Sequence, residues 1–119
     1  MSLASSALTV SDSSALRVLR LLDSNPDLTQ REMADEMGVS LGKANYCLRA
    51  LLGRGFVKVQ NFRRSTNKRG YAYLLTPEGV AAKANLTRLF LAQKKEEYDS
   101  LRIEIERLQR ESESDLEAS

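Results

Sequence analysis

Lys43, Arg49, Arg54, Lys58, Arg63, Arg64, Lys68 and Arg69 fall in residues 37–77, a stretch without one aspartate or glutamate in a chain that carries 16 acids. The chemistry open to such a set is electrostatic. Lysine and arginine neutralise phosphates and release their counterions. A surface that merely faces water mixes both signs, whereas one that meets a polyanion excludes acids. The flanks are the opposite: residues 1–36 carry three basic and six acidic side chains, and residues 78–119 carry seven and ten, so a net charge of only +2 conceals a segregated chain. Side chains suited to reading bases stand among the cations. Asn45 can bond adenine N6 and N7 together, or simply be solvated. Lys43 can read guanine or touch a phosphate, and Arg49 suits a phosphate. Tyr46 suits a sugar or phosphate, or covers the edge of a core. Gly42 permits close backbone approach.

Covalent chemistry has little to work with. The chain has no histidine, no glycine-rich phosphate loop and no paired carboxylates on a predicted cleft, so no enzyme, catalytic residue, metal site or cofactor is expected. RNA binding stays open to the chain, yet the aromatic stacking platform it often uses is missing. The single cysteine, Cys47, cannot form an internal disulfide, which fits a reducing cytoplasm. It falls on an inward helical face, so we expect a small apolar residue rather than a redox switch. No apolar run approaches the ~20 residues that span a bilayer. The opening MSLASSALTV is not built as a secretory leader.

The elements that must hold these residues read as follows. Residues 14–24 place Leu16, Val18, Leu19 and Leu22 on one side of a helix, stopped by Asn25-Pro26-Asp27. Thr29 and Glu32 form a capping box for a second, short helix with Met33, Ala34 and Met37 inward, ended by Gly38. Ser40 caps a third helix, which buries Ala44, Cys47, Leu48 and Leu51 and ends near Gly53 or Gly55. FVKVQNF and YAYLLT are two strands, joined by the tract holding Arg63, Arg64, Lys68 and Arg69. Thr76-Pro77-Glu78 starts a long last helix, over 77–110. At about 1.5 Å per residue it is roughly 50 Å long, too long to pack wholly on so small a core. Leu86, Leu89, Phe90 and Leu91 make a broad apolar patch, and Leu91, Lys94, Tyr98, Leu101, Ile105 and Leu108 step by three and four, as a heptad seam does. Glu97 and Arg102 fall at g and e positions. We therefore expect a homodimer through this helix, with Leu86, Phe90, Leu91, Tyr98, Leu101, Ile105 and Leu108 at the interface. Residues 1–12 and 111–119 are expected to be disordered.

Two short helices around Gly38-Val39-Ser40 make a helix-turn-helix. Ala34 is small because the next helix crosses it, Gly38 makes the turn, and Val39 plugs the angle. The hairpin that follows makes the pattern winged. The fold expected is mainly α with a small β-hairpin (α+β): a winged helix-turn-helix over residues 13–76 with a long C-terminal dimerisation helix.

The stretches LTQREMADEMGVSLGKANYCLRALLGRGFV and YLLTPEG resemble the MarR family of winged helix-turn-helix regulators. More narrowly, the chain looks like the short MarR-like regulators associated with bacterial exopolysaccharide (EPS) gene clusters. The resemblance implies a cytoplasmic bacterial regulator that binds double-stranded DNA as a dimer on a roughly palindromic operator. The third helix, with Ser40, Gly42, Lys43, Asn45, Tyr46 and Arg49, would enter the major groove; the wing, with Arg63, Arg64, Lys68 and Arg69, would lie near the minor groove. Two departures stand out. Typical members carry a longer N-terminal helical arm that builds the dimer interface and a ligand pocket. Here about a dozen residues precede the first helix, so dimerisation falls to the last helix and no small-molecule effector is assigned. The usual wing also has an acid beside its arginine, where this sequence has Ser65 and Thr66. The competing function is a winged-helix module that docks an acidic protein partner.

Overall fold

The computed structural model describes residues 10–61 and 71–118. Its order is α1 (Asp12–Ser24), α2 (Gln30–Met37), α3 (Leu41–Gly53), β1 (Val57–Asn61), β2 (Tyr71–Leu75) and α4 (Pro77–Ala118). The chain divides into two compact units, Met1–Leu86 and Thr87–Ser119.

Within the first unit each helix start is set by a side chain that satisfies a backbone donor the helix cannot. Ser11 accepts from the Ser14 amide at 3.1 Å, and Ser40 accepts from the Lys43 amide at 3.1 Å. At α2 the capping box is complete: the Glu32 amide donates to Thr29 Oγ1 at 3.0 Å, and the Thr29 amide donates to Glu32 Oε1 at 2.8 Å. Gly38 takes a left-handed φ of 68°, and the Val39 amide reaches back to the Ala34 carbonyl at 3.0 Å. That geometry turns the chain from α2 into α3 within three residues.

The core is apolar throughout; among the described residues no polar or charged side chain is buried. Leu16, Val18, Leu19 and Leu22 of α1 and Ala44, Cys47, Leu48 and Leu51 of α3 are buried, as their spacing predicts. Met33 and Ala34 are buried too, while Met37 and Val39 are half-buried. The two strands pair antiparallel, with Val57 opposite Leu75 and Asn61 opposite Tyr71. Consecutive residues Ala72 and Tyr73 alternate between the faces of β2, and both are buried.

Three expectations need correction. Order starts before residue 13, since Val10 is only 4% exposed and Ser11 already caps α1. The first unit also runs past residue 76: Leu86, on α4, is 2% exposed and belongs to its core rather than to a dimer interface. Finally, α4 does not end near 110 but continues to Ala118, so 111–118 are helical and not disordered. The physical reason is the lack of a stop signal: no glycine or proline follows Gly79, and Glu111, Glu113, Leu116, Glu117 and Ala118 are mostly good helix formers.

Candidate nucleic-acid interface

The outward side of α3 is built by its inward side. Burying Ala44, Cys47, Leu48 and Leu51 leaves Leu41, Gly42, Lys43, Tyr46 and Arg49 exposed, with Asn45 at the margin and half-buried. Lys43 Nζ lies 5.8 Å from the centroid of the Tyr46 ring, so the ammonium and the ring one turn on stand together. A Cβ added to Gly42 would meet nothing nearer than Ser40 Oγ at 4.0 Å. The glycine therefore serves no packing need, and its backbone is open to close approach. Lys58 is exposed on β1, and the Arg54 guanidinium lies 5.5 Å from the centroid of the Phe56 ring. Arg63, Arg64, Lys68 and Arg69 lie outside the described residues.

Asn45 is more constrained than its sequence position suggests. Its Nδ2 donates to Gln30 Oε1 at 2.9 Å, and Gln30 Nε2 donates to the Tyr73 hydroxyl at 3.4 Å. The Tyr73 amide in turn donates to the Pro26 carbonyl at 3.1 Å. The helix-turn-helix and strand β2 are thus tied through Asn45 and Gln30. Sequence reasoning missed Gln30 and Tyr73, because neither carries a local signal. It also missed Leu41, an apolar side chain 45% exposed at the first position of α3.

Cys47 is fully buried, and burial pushes its thiol above the ordinary value. The nearby Lys43 charge and a hydrogen bond with the Ser14 side chain pull the other way, less strongly. A thiol held protonated and out of reach matches the apolar role. Among the described residues no cluster of His, Cys, Asp or Glu is arranged to hold a metal ion, and no helix is long and apolar enough to cross a membrane.

A family model for winged helix-turn-helix DNA-binding domains matches residues 11–58, from the cap of α1 into β1. The fold is a winged helix-turn-helix. Solved structures of MarR regulators share it. A Mycobacterium tuberculosis MarR family protein in complex with salicylic acid superposes with a TM-score of 0.59 at 24% identity, over 70% of this chain and 60% of that one. Streptococcus pneumoniae FabT in complex with DNA gives 0.58 at 20% identity, over 82% and 66%. Staphylococcus aureus MepR bound to DNA gives 0.59 at 16% identity, over 72% and 60%. The chain thus spans 60–66% of the length of these structures. No curated protein matches it in sequence. In this winged helix-turn-helix α3 takes the place of the recognition helix and the β1–β2 hairpin that of the wing.

Proposed function

We propose that this protein is a sequence-specific, double-stranded DNA-binding transcriptional regulator that acts in the cytoplasm as a homodimer on a roughly palindromic operator. The observation that carries the reading is the outward row on α3. Leu41, Gly42, Lys43, Tyr46 and Arg49 are exposed on the helix that a winged helix-turn-helix presents to the major groove, inside a stretch of sequence free of acids. The N-terminal residues of the helix address base edges, while Arg49, two turns from the cap, meets the phosphate backbone. In the wing, Arg63, Arg64, Lys68 and Arg69 add cations suited to the negative potential of a minor groove. Two neighbours in fold, FabT and MepR, are themselves described in complex with DNA. Control of exopolysaccharide genes is the role that the narrower resemblance suggests.

The second unit supports the dimer. Leu91, Tyr98, Leu101, Ile105 and Leu108 are all roughly half or more exposed along one heptad seam of α4, and Phe90 beside them is half-buried. Residues 112 and 115, the next seam positions, are Ser and Asp, so the apolar stripe ends at Leu108 although the helix does not. Glu97 is paired with Lys94 at 3.2 Å and Arg102 with Glu106 at 3.4 Å, both within the helix. A parallel dimer exchanges these exposed pairs for Glu97–Arg102 pairs between chains.

Selection of bound duplexes from a random pool tests the reading. A palindrome with half-sites about one helical turn apart is expected. An unenriched pool together with salt-insensitive binding would favour docking of an acidic protein instead.

A further inference from the structure

We propose that Gln30 is a positioning residue that determines which base Asn45 accepts, although Gln30 lies in α2 and not in the recognition helix. The inference rests on the DNA-binding reading and goes beyond it. A side-chain amide on the outward face of a helix ordinarily turns about its last torsion, and with each turn its donor and acceptor exchange places. Asn45 is not free to do so at no cost. Its Nδ2 donates to Gln30 Oε1 at 2.9 Å, and an exchange of Nδ2 for Oδ1 would set two acceptors against each other. Gln30 is held in turn by the Tyr73 hydroxyl, which accepts from its Nε2 at 3.4 Å; because a hydroxyl also donates, Asn45 and Gln30 can exchange donor and acceptor only together, never Asn45 alone. Tyr73 is anchored in its turn: it is 5% exposed, and its amide is bonded to the Pro26 carbonyl.

The bonds link Asn45 to Gln30 and Gln30 to Tyr73, whose ring is buried. What it leaves on Asn45 is informative. One Nδ2 hydrogen is committed to Gln30; the second Nδ2 hydrogen and Oδ1 are bonded by no other described residue. In this arrangement one donor and one acceptor stand side by side on Asn45, and they match the N7 acceptor and N6 donor of adenine. Gln30 therefore sets the preference for adenine without touching the base, and Tyr73 joins that preference to the foot of the wing.

The experiment compares dissociation constants for the selected duplex and for duplexes changed at each base pair. It uses the full-length wild type, Asn45→Ala, Gln30→Met, Gln30→Glu and the Asn45→Ala/Gln30→Met double variant, each first shown by thermal melting to be folded. Methionine keeps the length of Gln30 and removes its amide. Wild type is expected to prefer an A·T pair at one position of each half-site by about tenfold, a preference that Asn45→Ala abolishes. Gln30→Met should lower the preference at that same position to about twofold or less, with the salt slope unchanged. Gln30→Glu, whose carboxylate still accepts from Asn45 Nδ2, should keep the preference while binding every duplex more weakly. In the Asn45→Ala background Gln30→Met should change nothing more. A Gln30→Met protein that retains the wild-type preference, or loses affinity evenly at all positions, overturns the inference while leaving the regulator reading intact. A wild type that selects no motif overturns both.

Discussion

The first turn of α4 passes so close to the hairpin entrance that a Cβ on Gly79 would lie 1.9 Å from the carbonyl oxygen of Phe56. That carbonyl also accepts the Thr76 amide at 3.0 Å, and Thr76 Oγ1 accepts the Gly79 amide at 3.0 Å. Backbone sits against backbone here, so no side chain can swing aside. In an ordinary helix Gly→Ala stabilises by about 1 kcal/mol. At this position the sign reverses: Gly79→Ala should destabilise the first unit by roughly 2–4 kcal/mol, seen as a lower denaturant midpoint. A midpoint unchanged or raised would contradict the close approach.

The reciprocal bonds of Thr29 and Glu32 predict a second stability effect. Thr29→Ala should cost about 1 kcal/mol. Glu32→Ala should cost less, since its partner amide lies near solvent. The double variant should lose less than the sum, because each half of the box orients the other. Strict additivity in chemical denaturation would argue that the two bonds act separately.

Arg49 is exposed well along α3, and we expect it to meet a phosphate rather than a base. Arg49→Ala should weaken binding to all duplexes alike and lower the slope of log K against log salt by about 1. Titration at several salt concentrations measures this. A loss confined to one sequence would instead make Arg49 a base reader.

Lys94 occupies a seam position between Leu91 and Tyr98, where its charge would oppose the proposed dimer. Lys94→Leu should tighten self-association by about tenfold or more, on the scale of burying one leucine per chain. Leu101→Asp should abolish it. Sedimentation equilibrium checks both, and DNA affinity should follow the dimer, since a palindrome rewards two linked domains.

The buried thiol of Cys47 has a pH signature. Burial raises its folded value, so on raising the pH the unfolded thiol ionises first and the folded state retains the extra proton. Stability is therefore unaffected by this group below the ordinary thiol value of about 8.5 and declines as pH rises beyond it. Cys47→Ala should flatten that alkaline decline in denaturant melts, whatever it does to stability at neutral pH.

Much of this was written locally in the chain. The faces of α1 and α3, the Thr29–Glu32 box, the left-handed Gly38 and the two strands all follow from residues within a turn or two of one another, where spacing and capping chemistry decide the outcome. What could not be read depends on contacts between distant segments. Gln30 and Asn45 meet because α2 and α3 cross at a given angle, and Gly79 is required because α4 passes over Phe56. Leu86 looks like any other leucine of the apolar patch until the core it enters is known. The far end of α4 departs from expectation for a different reason. Charge and serine content suggested disorder, but helix propensity without a breaker carried the helix on to Ala118. The wing-tip cations lie beyond the described residues.

The burial of Cys47 gives the protein a reporter of its own motions. The sequence has one cysteine, and that one is fully buried between α1 and α3. A thiol reagent can then modify only molecules whose core has opened, and where reclosing outpaces the reagent, labelling follows the open population. Under native conditions the labelling rate reads the free energy of that opening, with no dye or tag attached. Operator DNA that binds the closed form alone should slow the labelling by the factor its concentration and affinity dictate.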